Sequence, residues 1–158
     1  MDRKILITWA AFNRSPAAAA GIISLALQSG GLLVDSIPIR SIPAIEQYSA
    51  AVIGGNVRYG QVHADMSAFI QNYREELSQI PVACFVINNT LAKPSPARTQ
   101  AIKDVLDRLF TRVGMLKPVS TAAFMRQASI LEPFFPGKIP AGKLLSAPGE
   151  NTWAGMIQ

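Results

Sequence analysis

The residues of this 158-residue chain that could do chemistry are few, and most stand at the ends of short apolar runs. Asn56, Val57, Arg58, Tyr59 and Gly60 follow an apolar run at 51–53 and the pair Gly54-Gly55. Asn88, Asn89 and Thr90 follow the apolar run 82–87, and Thr8, Asn13, Arg14 and Ser15 stand in or just after the run 5–9. Polar groups at strand exits are what an open parallel sheet uses to hold a ligand at the carboxyl ends of its strands. Two glycines let the backbone approach a flat ligand, and Tyr59 offers a ring to stack beside it. Arg58 offers a cation for a carboxylate or a developing anion. The first loop offers hydroxyls and a guanidinium for an anion at a helix N-terminus.

Other chemistries are excluded by count. Cys84 is the only cysteine and His63 the only histidine. A disulfide framework, a multi-cysteine metal site and a histidine-cluster metal site are therefore ruled out, and no metal is assigned. A Ser-His-Asp hydrolase would depend wholly on His63, which reads instead as a contact at the start of a helix. Cys84 lies in an apolar run and reads as an inert small hydrophobe. The net charge of +5 comes from scattered residues such as Arg108, Arg112, Lys117, Arg126, Lys138 and Lys143, without a basic tract. No nucleic-acid module accompanies them, so nucleic acid is not expected as a partner, whereas peripheral contact with an anionic membrane surface is compatible with them. No apolar stretch reaches the roughly 18 residues of a membrane span and no signal-like segment opens the chain, so a soluble, cytoplasmic protein is expected.

The elements that must position these groups alternate along the chain. A strand at 5–9 leads to a helix in which Ser15-Pro16 supply the cap and a first-turn proline and Ile22, Ile23, Ala26 and Leu27 share a face. Gly30-Gly31 end that helix, a strand covers 32–37, and Pro38 and Pro43 bracket an irregular stretch before the strand at 51–53. Met66, Phe69, Ile70, Tyr73 and Leu77 recur at helical spacing, and 82–87 is again a strand. A long helix follows Pro94 and Pro96 with Ile102, Val105, Leu106, Leu109, Phe110 and Val113, then a strand at 119–124. The prediction is one α/β domain over 1–158 with right-handed crossovers. Its last part, 127–158, is rich in proline and glycine and is expected to be irregular, wrapping the sheet with Phe134, Phe135, Leu144, Leu145, Trp153 and Met156 in place of a final helix. Incomplete cover of one sheet face predicts a homo-oligomer or dependence on a partner.

Two stretches carry a family resemblance. AAVIGGNVRYGQVHADMSAFI, residues 50–70, resembles the third strand and flavin-contacting loop of flavodoxin-type domains, and its VIGGNVRYG-x-x-H form is similar to the menaquinone-dependent protoporphyrinogen dehydrogenase branch. IPVACFVINNTLAKPSPART, residues 80–99, resembles the fourth strand and following loop of that branch, with Asn88, Lys93-Pro94 and Arg98-Thr99 at its marked positions and one extra residue between them. The resemblance implies a flavodoxin-like three-layer sandwich with a five-stranded parallel sheet of order 2-1-3-4-5. It implies FMN as cofactor, with Thr8, Asn13, Arg14 and Ser15 around the phosphate. Asn56, Val57, Arg58, Tyr59, Gly60, Asn88, Asn89 and Thr90 would then surround the ring. The activity implied is FMN-dependent oxidoreduction or electron transfer of the protoporphyrinogen dehydrogenase type, in heme biosynthesis, with a quinone or another redox partner as acceptor. No catalytic side chain is assigned, because the chemistry belongs to the flavin.

The first loop departs from the family. Ala11, Arg14 and Pro16 stand where threonine, glycine and threonine are usual, and Pro16 has no N–H to give a phosphate. Arg14 compensates in charge. The competing expectation is a binding or assembly module that keeps the fold without flavin or catalysis. TWAAFNRSP also resembles the phosphate cradle of low-molecular-weight protein tyrosine phosphatases, but Thr8 occupies the nucleophile position and has no base to activate it, so only oxyanion binding survives of that reading.

Overall fold

Apolar runs with no polar alternation need cover on both faces, and a parallel sheet between helix layers provides it. The computed structural model describes residues 4–11, 14–42, 44–88, 96–113, 120–127 and 130–133. The strands are β1 (Lys4–Ala10), β2 (Leu33–Pro38), β3 (Tyr48–Arg58), β4 (Gln61–Val62), β5 (Val82–Asn88), β6 (Ser120–Gln127) and β7 (Ile130–Pro133). They form one sheet of order β2-β1-β3-β5-β6-β7, with β4 paired to β3. The five strands β2, β1, β3, β5 and β6 are parallel, which is the expected order 2-1-3-4-5 of a flavodoxin-like sandwich. The antiparallel pairing of β7 with β6 is an addition, because residues 130–133 fall in the stretch expected to be irregular. The rest of that stretch, with the aromatic wrap assigned to it, lies outside the described residues.

One face of the sheet carries α1 (Ser15–Ser29), and the other carries the 3-10 turn Ile39–Ser41, α2 (Ala64–Asn72), α3 (Arg74–Leu77) and α4 (Pro96–Val113). The core is accordingly split in two. Beneath α1, Ile5, Ile7, Val52 and Phe85 meet Ala19, Ala20, Ile23 and Leu27. On the other face, Leu6, Ile53 and Cys84 meet Met66, Ile70, Leu77, Val105, Leu106 and Leu109.

Three local readings are corrected. The buried stripe of α1 is Ala19, Ala20, Ile23 and Leu27, while Ile22 and Leu25 face outward, 41% and 68% exposed. Its N-cap is Arg14 and not Ser15, and no side chain caps it. The helix after His63 breaks at Tyr73, whose ring packs on Phe69 with centroids 4.9 Å apart, and restarts as α3. The stripe of Met66, Phe69, Ile70 and Leu77 is buried as expected. Gly31, at a φ of 85°, takes the left-handed conformation just past the end of α1.

The central row of the sheet pairs Trp9 with Gly54, Gly54 with Phe85 and Phe85 with Ala122. Phe85 is fully buried, and its ring covers the position a side chain at 54 would take: a Cβ there would overlap the ring's Cζ. Gly54 is therefore a packing requirement. We expect Gly54→Ala to cost about 3 kcal/mol by overpacking, and Phe85→Leu to recover part of it in the double variant. Urea unfolding checks this, and strictly additive losses would contradict it.

At the opposite end of the sheet the Tyr48 hydroxyl donates to Asp35 Oδ2 at 2.8 Å, and Lys4 Nζ stands 3.7 Å from the same oxygen, tying together β1, β2 and the start of β3. Burial, then the hydrogen bond and charge of Asp35, push the Tyr48 phenol up to about 12 from 10.0. Because the folded value lies above the unfolded one, this contribution is complete below pH 10 and is lost as pH rises through about 12. Stability measured by denaturant titration should therefore fall more steeply over that window in the wild type than in Tyr48→Phe.

Candidate functional site

The site begins where β1 stops. Ala10, its last residue, pairs with Gly55, and β3 continues for three more residues, the first two of them paired with β5 on one edge. The other edge, vacated by β1, is taken by β4, which pairs Val57 with Val62 and Arg58 with Gln61. Residues 56–58, expected in a loop, are thus the end of a strand, and the loop shrinks to Tyr59-Gly60. Both have positive φ, 54° and 72°, the signature of a type I′ two-residue hairpin turn. That turn usually takes Asn-Gly, since a bulky residue meets a steric penalty in the left-handed region. Tyr59 is nevertheless placed there and is 96% exposed.

Hydrogen bonds fix the hairpin from both sides. The His63 N–H donates to the Asn56 carbonyl at 2.9 Å, and His63 Nδ1 accepts the Asp65 N–H at 3.0 Å as the N-cap of α2. Arg40 Nε donates to Asp65 Oδ2 at 2.9 Å. Arg108 of α4 donates from Nη2 to the Gly60 carbonyl at 3.2 Å. His63 therefore acts as a helix-start contact, and its ring nitrogen is engaged by the backbone.

The structure joins some of the candidate residues and separates others. Asn56, Val57 and Asn88 are neighbours across β3 and β5, through the register pairs Asn56 with Ile87 and Val57 with Asn88. Asn56 is fully buried on the α1 face, Val57 is buried on the other, and Arg58 and Tyr59 are exposed. Arg14 and Ser15 stand at the N-terminus of α1. Thr8, grouped with them by sequence, is set apart: it lies inside β1, is fully buried and alternates with Leu6 and Ala10 toward the core opposite α1. Its hydroxyl has no hydrogen-bond partner among the described residues. Asn13, Asn89 and Thr90 lie outside the described residues.

The glycines are also corrected. Space beside Gly54 is filled by Phe85, and a Cβ at Gly55 would stand 3.1 Å from Met66 Sδ and 3.2 Å from the Ala10 carbonyl. Both serve close packing and not the approach of a ligand. Sequence reading missed a groove of about 520 Å³ beside the hairpin, walled by the Tyr59 turn, α2 and α4 and including Arg108 and Arg112. The spacing of those two arginines, one helical turn apart, was the available signal. Cys84 is fully buried, and burial pushes its thiol up, away from the reactive thiolate. Among the described residues there is no metal-ligating group of three or more His, Cys, Asp or Glu, and no helix long and apolar enough to cross a membrane.

The turn and the cap can each be tested by substitution. Replacing Tyr59 by Asn keeps the turn and relieves the left-handed penalty, so Tyr59→Asn should raise stability by about 0.5–1 kcal/mol in thermal or urea unfolding; a loss would show that the ring packs on something. His63→Ala should cost about 1 kcal/mol through loss of the α2 cap, whereas His63→Asn should keep most of it.

A family model described as Flavodoxin domain matches residues 18–125, so the match begins after the first loop. Among solved structures, the chain is similar to a flavodoxin from the domain Archaea, with 16% identity, a TM-score of 0.55 and cover of 80% of this chain and 85% of that one. Oxidised Flavodoxin 2 from Bacillus cereus gives 18% identity, a TM-score of 0.54 and cover of 80% and 87%. Oxidised Flavodoxin 1 from the same organism gives 15% identity, a TM-score of 0.51 and cover of 80% and 86%. At these identities the likeness is one of fold. No curated protein matches the chain.

Proposed function

This chain belongs to the Flavodoxin domain family, and we propose that it binds FMN and works as a flavin-dependent electron-transfer protein or oxidoreductase. The observation that carries this reading is the β3–β4 hairpin, which holds an exposed aromatic ring in a strained turn at the carboxyl end of the central strand. Strand order reverses between β1 and β3, and ligands of doubly wound sheets bind at such a switch point; in flavodoxins it is the FMN site. A left-handed tyrosine with its ring in solvent is costly for stability alone and useful for stacking.

The residues present fit a flavin, with a changed phosphate end. Arg14 stands at the N-cap of α1, where the helix dipole is positive and the first turn holds no acidic side chain. A cation in that position gains from an anion beside it, so Arg14 and the N–H groups of the first turn would take the phosphate. Ser15 lies in the same turn, whereas Thr8 points elsewhere and Pro16 donates nothing. Asn56, Val57, Asn88 and the residues after it would border the ring, with Arg58 and Tyr59 over its edge and Gly60 completing the turn. When bound, FMN supplies one- and two-electron transfer between a reduced donor and an acceptor. The protein would bind and orient it, with the exposed Tyr59 ring available to stack on it and Arg58 supplying a cation beside it.

The finer reading rests on the stretches at 50–70 and 80–99. It gives a porphyrinogen as donor and a membrane quinone as acceptor, as in the protoporphyrinogen dehydrogenase branch, with the net charge of +5 favouring contact with an anionic bilayer. The rival reading, a fold kept as a binding or assembly module without flavin, is favoured by Pro16 and by the filling of the glycine spaces by Phe85 and Met66.

Calorimetric titration separates them. FMN is expected to bind more weakly than flavodoxins usually hold it, and Arg14→Gln should weaken FMN about tenfold while leaving riboflavin almost unchanged. The double reversion Ala11→Thr and Pro16→Thr, which restores two hydroxyls and an N–H and keeps Arg14, should tighten FMN selectively. A colourless protein that neither FMN nor riboflavin stabilises would decide for the module.

A further inference from the structure

The groove between α2, α4 and the β3–β4 turn meets the proposed flavin site only at its rim, where Tyr59 and Gly60 form one wall. Its volume of about 520 Å³ falls within the range of small-molecule sites, roughly 300–1,000 Å³. Ala64 and Ala68 of α2 and Val105 and Leu109 of α4 give it apolar surface. Arg108 and Arg112, four residues apart and so on one face of α4, supply two guanidinium groups, and Gln61, Ser67 and Gln71 supply neutral donors and acceptors. Among the described residues, no Asp or Glu lines it.

The electrostatics are one-sided. Arg108 donates to the Gly60 carbonyl, but a guanidinium carries five N–H groups and most of them stay available. No ion pair among the described residues involves Arg108 or Arg112. The acidic residues nearest them on α4, Asp104 and Asp107, are not among the groove's lining, and Asp104 accepts a hydrogen bond from Gln100. Apolar surface beside two such cations suits a ligand with an apolar body and an acidic head.

We infer that this groove is a binding site for a small amphiphilic anion, its apolar or aromatic body lying over Ala68 and Leu109 and its carboxylate, sulfonate or phosphate held by Arg108 and Arg112. The site is separate from the flavin and does not depend on the flavin reading.

The test uses the dye anilinonaphthalene sulfonate against phenylnaphthylamine, which has the same rings without the sulfonate. The dye should bind the full chain saturably, one to one, and more tightly than its neutral counterpart. Arg112→Gln, and Arg108→Gln with Arg112→Gln, should weaken it by about three- and tenfold, as loss of charged hydrogen bonds in a half-open groove predicts. Ala68→Trp should block it, and Arg74→Gln, an exposed arginine on α3, should change nothing. Circular dichroism confirms that each variant is folded. Saturating FMN should leave the dye in place. Equal binding of the neutral dye, indifference to Arg112→Gln and Ala68→Trp, or one-for-one displacement by FMN would each overturn the inference.

Discussion

The contact on which the structure turns is the Phe85 ring lying across Gly54. In a parallel sheet each residue has fixed neighbours on either strand, so a large ring in the central row needs a vacancy beside it. Gly54 provides that vacancy, and the pairs from Trp9 to Ala122 are aligned through it. A slip of one residue between β3 and β5 would set Phe85 against Ile53 or Gly55 and turn every side chain of the strand to the wrong face. The register that brings Asn56 beside Ile87 and Val57 beside Asn88 is thus held below the site, by packing.

Above that row the sheet changes partners. The early end of β1 frees an edge of β3, and an unpaired edge deep in a protein leaves N–H and C=O groups unsatisfied. β4 satisfies them with only two residues, and the shortest connection that returns the chain antiparallel is the two-residue turn. The exposure of Tyr59 is the outcome of this economy of chain: in so tight a turn the side chain can only project outward. Arg108 and the cap at His63 then hold the hairpin against α4 and α2.

Much of the fold is legible in the sequence because its signals are local. The apolar runs at 5–9, broken only by Thr8, and at 82–87 and the stripe of Val105, Leu106 and Leu109 each require one kind of burial, and alternation of strand with helix leaves few topologies. What the sequence hides depends on pairs distant in the chain. Gly54 and Gly55 read as room for a ligand because the residues that fill them, Phe85 and Met66, come later in the chain and meet them only once the strands and helices pack. Asn56 and Val57 read as loop because a polar residue after two glycines resembles an exit, whereas β5 and β4 pair that segment as strand. Thr8 and Arg14 are close in sequence, but the pleat turns Thr8 to the opposite face. The arginines of α4 read as surface charge, and only the hairpin closes a groove beside them.

The two outer strands have a consequence of another kind. Among the described residues β2 and β7 end the sheet at either side, and each is short and finishes in a proline, Pro38 and Pro133. Proline cannot extend a ladder, and short edges closed in this way resist joining to a strand from another molecule. Between copies of this chain, ladder extension from β2 or β7 is thus hindered at the proline that closes each strand.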